Sequence, residues 1–305
     1  LSAGDTVRLH CAGSWRETLH ISGSGNVTAP LELAAYGDCE DGRKPQVIAS
    51  RLTSGWMRGD GDVYSVRVSD EVKQVFVDGV LLEPARYPAA GLFTAQGGVG
   101  DQQRGGARDT DLRSLVGKDV AGAALHIRSV GWSIETLSVA GLSGEQLEFT
   151  TPSLFPIRKG AGYFLAGKAW MLTPGRWHWD RDQQRLRLWL ADGSDPSRHQ
   201  IEVTSQDYGL HLKRNDYVHV RDLRVSHAGL DGIRADGTQH VILEGVEVVN
   251  SGRDGIGFDD KSTGVVVQGS TVRASGRDGI SILRSQGARV LDNTVEDSGT
   301  VGFFR

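Results

Sequence analysis

Cysteine is nearly absent from this chain: Cys11 and Cys39 are the only two in 305 residues. Their spacing supports no zinc site. In a secreted protein the two could form one disulfide; the alternative is two unrelated free thiols. Long apolar runs are also missing. None approaches the roughly 20 residues of a membrane-spanning helix. An excess of positive charge is missing too: 34 Lys and Arg stand against 38 Asp and Glu, a net charge of −4. That balance gives no electrostatic case for nucleic acid. The chain has no Ser-His-Asp arrangement, phosphate loop or Cys/His zinc motif.

What is present is glycine, 41 residues, in a repeating pattern. Gly-apolar pairs fall at Gly209-Leu210, Gly232-Ile233, Gly255-Ile256, Gly279-Ile280 and Gly302-Phe303, at spacings of 23, 23, 24 and 23. A fixed period in this range marks stacked supersecondary units. Aligned on these pairs, Val220, Leu243, Val267 and Val290 share a column, and Val225, Val248, Val272 and Val295 share another. Short β-branched runs between Gly, Asp, Asn and Ser read as strands and turns. Three short strands per repeat predict the coils of a parallel β-helix, with neighbouring coils about 4.8 Å apart.

Residues 1–52 read as first coils, with short apolar strands in "GDTVRLHCAG", "APLELAAYGD" and "PQVIAS". Residues 53–200 break the rhythm and carry hairpin signals, the clearest being "RWHWD" and "RLRLWL" around a turn at Arg181–Gln184. This stretch is predicted to be an inserted small β-barrel or sandwich domain. Within it, 89–115 is Gly-, Gln- and Asp-rich without an apolar period, which predicts a long surface loop. The β-helix resumes over 201–305. The sequence begins without Met or a signal peptide and stops as a new coil opens, so the expectation is a piece of a longer polypeptide with its remaining C-terminal coils absent.

These pieces carry a resemblance. The opening "LSAGDTVRLHCAGSW…PLELAAYGD", the middle "VFVDGVLLEPARYP" with "GRWHWDRDQQRLRLWL", and the repeated "SGRDGI" resemble right-handed parallel β-helix proteins of the pectate-lyase-like superfamily. The middle piece resembles the inserted barrel of its glycoside-hydrolase branch, the β-xylosidase-like members in particular. The resemblance implies an all-β, secreted or periplasmic protein acting on carbohydrate. Fold alone does not establish an activity.

The residue before each Gly-apolar pair is Asp231, Asp254, Asp278 and then Val301. Stacked one per coil, neighbouring carboxylates would lie about 5 Å apart and the outer pair about 10 Å apart. Glycosidases place two carboxyl groups roughly 5–5.5 Å apart for retention or 6.5–9.5 Å apart for inversion. Like charges this close also raise a carboxyl pKa, as a general acid requires. The competing reading is structural: Asp before Gly caps turns, and Arg253 and Arg277 could neutralise the column. Polygalacturonases sharpen the comparison. Asp231 in "LDGI" resembles the first of that family's catalytic Asp positions and Asp254 in "RDGI" its acid. Here Arg253-Asp254 replaces that family's paired Asp, Asp278 takes its His position, and its Arg-x-Lys motif is not visible.

A second column, Asp236 and Asp259 with Asp260 following, could supply acid and nucleophile or oxygen ligands for Ca²⁺. No other cofactor is implied. His227 lies nearest the Asp231 turn, and Arg284 takes the second column's place on the next coil. Trp170, Trp177, Trp179 and Trp189 cluster in the inserted stretch, as a sugar platform or as domain core. The leading expectation is a glycoside hydrolase cleaving an extracellular or cell-wall polysaccharide. Its catalytic candidates are Asp231, Asp254, Asp278 and Asp259. Its substrate-binding candidates are Arg253, Arg277, Arg284, His227, Asp236 and Asp260. The substrate groove is expected beside the Gly-Ile face. The rivals are a polysaccharide lyase using arginine and Ca²⁺ on uronates, and a non-catalytic glycan-binding or structural β-helix.

Overall fold

The computed structural model describes residues 1–39 and 42–299. The pair Gly302-Phe303 and Val301 of the carboxylate column lie outside them. The chain forms two compact units: Leu1–Ser54 with Val72–Leu81 and Gln200–Arg305, and Gly55–Glu71 with Leu82–His199.

The first unit is a parallel β-helix. Three sheets run along it, and among the described residues each coil but the last gives one strand to each. One sheet stacks Thr6–His10, Leu31–Tyr36, Val218–Arg221, Ile242–Glu244, Val266–Gln268 and Arg289–Leu291. A second stacks Ser14–Trp15, Gln46–Ile48, Arg224–Ser226, Glu247–Ser251, Thr271–Ser275 and Thr294–Glu296. The third, which bears the candidate site, stacks Leu19–His20, Leu210–Lys213, Ile233–Asp236, Ile256–Asp259 and Ile280–Ile282. Leu210 pairs with Leu19, so the helix resumes after Gln200 in register with its opening coils. Strand Val75–Val77, inside the 53–200 stretch, pairs with Ile201–Thr204 of this unit.

The columns seen in the sequence are the interior of the helix. Val220 pairs with Leu243, Leu243 with Val267 and Val267 with Val290; Val225, Val248, Val272 and Val295 pair likewise. Most of these side chains are fully buried, with Leu210, Ile233, Ile256 and Phe258 beside them. Each such burial contributes about 1.5–3 kcal/mol. The repeating glycine is fixed by close approach. A Cβ on Gly209, Gly232, Gly255 or Gly279 would stand 2.2 Å from a Cγ1 of Val225, Val248, Val272 or Val295. Each coil also turns one corner through a left-handed residue: His227, Asn250, Ala274 and Asp297, at φ 64, 57, 54 and 52°.

The second unit is built of antiparallel strands in two sheets. One contains Ala124–Val130, Ser133–Ser143, Gln146–Phe149 and Gly162–Ala166; the other orders Arg176–Asp180, Arg185–Trp189, Tyr64–Arg67 and Met57–Arg58. The Trp177-Trp179 hairpin forms as the sequence predicts. The stretch 89–115 is not the long surface loop expected. It contains strands Phe93–Thr94, Gly97–Val99 and Gly106–Arg108 and a 3₁₀ turn at Thr110–Leu115, and it buries Phe93, Ala107, Leu112 and Leu115. Cys11 and Cys39 are free thiols. The neighbouring Cys11 thiol, by hydrogen bond, pushes Cys39 up to about 11.

Candidate functional site

Along Ile233–Asp236 the side chains alternate. Ile233 and Ala235 enter the core, while Arg234 and Asp236 point outward. The same holds for Leu210–Lys213 and Ile256–Asp259, so His211, Arg234 and Gly257 form one outer column and Lys213, Asp236 and Asp259 another. Asp231 and Asp254 sit at the entry to these strands. The sheet's outer face therefore collects both carboxylate columns.

Arginines tie the first column together from coil to coil. Arg253 donates from Nε to Asp231 Oδ1 at 2.7 Å and from Nη2 to Oδ2 at 2.6 Å. Arg277 repeats the grip on Asp254 at 2.8 and 2.5 Å. The following backbone amides, Asp254 N and Asp278 N, donate to the same Oδ1 atoms. Asp231 and Asp254 are fully buried, whereas the Asp278 side chain is 56% exposed. Two-point pairing of this kind satisfies a buried carboxylate, and Asp231 in turn holds Arg253 above the usual guanidinium range.

The second column is more open. Asp236 and Asp259 are register partners on neighbouring strands. Arg234 Nη2 reaches Asp236 Oδ1 at 2.6 Å and Asp259 Oδ2 at 3.3 Å, while its Nη1 lies 3.4 Å from Asp231 Oδ2. Position 257 on the next strand is glycine, where a Cβ would stand 3.1 Å from Asp231 Oδ2 and 3.3 Å from Arg234 Nη1. Asp236 Oδ2 meets His211 Nε2 at 3.2 Å. Asp259 Oδ1 accepts from Arg284 Nε at 2.8 Å and from the Asp260 amide at 2.7 Å. The Arg284 bond, with the Asp260 amide and Arg234, outweighs burial and holds Asp259 well below the usual carboxylate range.

The remaining candidates lie elsewhere. His227 is buried. It stacks on Phe76 at 3.7 Å and its Nδ1 lies 3.0 Å from Ser50 Oγ and 3.4 Å from Glu202 Oε2. Burial pushes Glu202 up, but bonds from His227, Arg16 and Ser50 prevail and hold it below its ordinary value. Asp260 is exposed and lines an open cavity of about 550 Å³ with Arg214 and Lys261. Of the carboxylates considered for Ca²⁺, Asp236 and Asp259 turn their oxygens to Arg234, His211 and Arg284. Among the described residues no three His, Cys, Asp or Glu side chains gather in a metal-binding group. Arg234 and His211 were not singled out in the sequence. Their signal was the strand alternation, which sets Arg234 on the same face as Asp236.

Residues 198–304 match the family model for a right handed beta helix region. No curated protein matches the sequence. Among solved structures, one described as a glycoside hydrolase superimposes with a TM-score of 0.75 at 14% identity, over 92% of this chain and 60% of its own. XylC in its complex with xylose superimposes at 0.54 and 12% identity, over 97% of this chain and 49% of its own. The chain thus spans about half to three fifths of the length of these structures. The chain folds as a right-handed parallel β-helix, a fold it shares with the superimposed glycoside hydrolase structure.

Proposed function

We propose that this protein is a glycoside hydrolase acting on a polysaccharide outside the cytoplasm, with Asp236 and Asp259 as its carboxylate pair. One observation carries the reading: the two are side by side on adjacent strands, share Arg234 Nη2, and keep side chains 22% and 12% exposed, while Asp231 and Asp254 are closed off by bidentate arginines. Strands about 4.8 Å apart suit the roughly 5–5.5 Å of a retaining pair.

In this reading Asp259, kept ionised by Arg284, attacks the anomeric carbon. The proton shared by Asp236 and His211, whose Nε2 lies 3.2 Å from Asp236 Oδ2, goes to the departing glycosidic oxygen while Arg234 orients Asp236. Water, deprotonated by Asp236, then cleaves the Asp259 ester and restores both groups. Asp231 with Arg253, and Asp254 with Arg277, hold the strands' entry and Arg234 in position. The glycoside hydrolase found by superposition supports the reaction class through its fold, and the secreted or periplasmic location belongs to the same proposal. The test is polysaccharide cleavage by Asp236→Asn and Asp259→Asn. Each is expected to lose activity by about 10²–10⁴-fold while melting within a few degrees of the wild type. Full activity in either variant refutes the pair.

A further inference from the structure

Four tryptophans of the second unit divide into two kinds. Trp177 is buried and donates from Nε1 to Leu82 O, and Trp179 donates to Val68 O. Both lie on the packed face of their sheet, between Leu186, Leu188, Tyr64 and Val66. Trp189 lies on the opposite face, in line with Arg187, and Arg187 pairs in register with Ser65. Trp170 stands on a 3₁₀ turn, fixed by its Nε1 bond to Asp119 O and by the Tyr87 ring 5.4 Å away. Trp170 and Trp189 both line a cleft of about 470 Å³, with Leu172, Asp60, Ser65 and Arg187 among the other residues of its wall. Every lining residue belongs to the second unit.

We propose that this cleft is a glycan-binding site that holds a pyranose ring of a neutral polysaccharide. Its volume lies within the range of small-ligand sites, which are apolar with a few convergent polar groups. An indole offers a flat, polarisable face to the C–H side of a sugar, and its burial there costs little side-chain freedom. A carboxylate, a hydroxyl and a guanidinium on one wall give both acceptors and donors for vicinal hydroxyls. A half-buried indole leaves a concave apolar surface in water, which a packed core would not keep. The site does not depend on the Asp236–Asp259 assignment, since no residue is shared.

The test is affinity electrophoresis of the full chain through native gels carrying xylan, mixed-linkage β-glucan or galactomannan, against a gel with none. The Asp259→Asn background keeps the polysaccharide uncut. Retarded migration in at least one polysaccharide gel is expected. Trp189→Ala and Arg187→Ala should weaken it at least tenfold, and Trp189→Phe, which keeps a stacking ring, should restore most of it. Thermal unfolding of each variant separates lost binding from lost fold. Normal migration in all three gels overturns the proposal, as does retardation undiminished in folded Trp189→Ala.

Discussion

Asp236 and Asp259 sit opposite each other on adjacent parallel strands, and a single nitrogen of Arg234 touches both, at 2.6 and 3.3 Å. This places two acids and one fixed cation on the outer face of a sheet whose inner face is Ile233, Ala235, Ile256 and Phe258. The strand alternation holds them there, so their spacing is a property of the coil. Glycine at 257 leaves space beside Asp231 Oδ2 and Arg234 Nη1. Gly257→Val is expected to displace the guanidinium and reduce cleavage at least tenfold while leaving the far-UV circular dichroism unchanged; steady-state kinetics checks it.

Asp231 and Asp254 answer to a different measurement. Asp231 is buried between Arg253 and Arg234, so Asp231→Ala strands Arg253 and removes one of Arg234's three carboxylate partners, which should cost about 1.5–3 kcal/mol of stability. Urea titration should show that loss, and Asp278→Ala, at an exposed position, should show almost none.

The glycine repeat is expected to fail by overpacking. Gly209→Ala drives a Cβ into Val225 Cγ1 and should destabilise by about 1–3 kcal/mol. In a Val225→Ala background most of that added cost should vanish, because the next contact, Gly232 O, stands 3.1 Å away. A double-mutant cycle by denaturant unfolding measures the coupling.

Ala274 occupies the left-handed corner that Asn250 and Asp297 occupy on neighbouring coils. A non-glycine residue there carries strain, so Ala274→Gly is expected to stabilise by about 1 kcal/mol. Calorimetric melting should register an upward shift.

His126 gives a pH dependence. Burial, with Arg86 nearby, lowers it to about 4 from 6.5. The unfolded chain therefore binds a proton between those values that the folded chain refuses, so stability declines as pH falls from about 6.5 to 4 and then levels. In His126→Gln that component of the decline should be missing from melting curves recorded across this window.

The β-helix was legible because its cause is local and repeated. One glycine per coil, packed against one valine, writes a 23-residue period that no other part of the chain obscures. The second carboxylate column was legible as a spacing of 23, but Arg234 was hidden, since it falls in a column with His211, Gly257 and Ser281 that shares no residue type. The stretch 89–115 misled for a related reason. Leu112 and Leu115 bury one side of a six-residue 3₁₀ segment, and such a segment is too short to write a period. The coil-to-coil Arg253–Asp231 and Arg277–Asp254 pairs join residues 22 and 23 apart, visible only once the repeat sets the register.

The most direct measurement is mass spectrometry of the products formed from a panel of polysaccharides in oxygen-18-enriched water. The account predicts shortened chains carrying one heavy oxygen at each new reducing end, absent with Asp259→Asn. Unsaturated products without the label, or labelled products from Asp259→Asn at the wild-type rate, would contradict it.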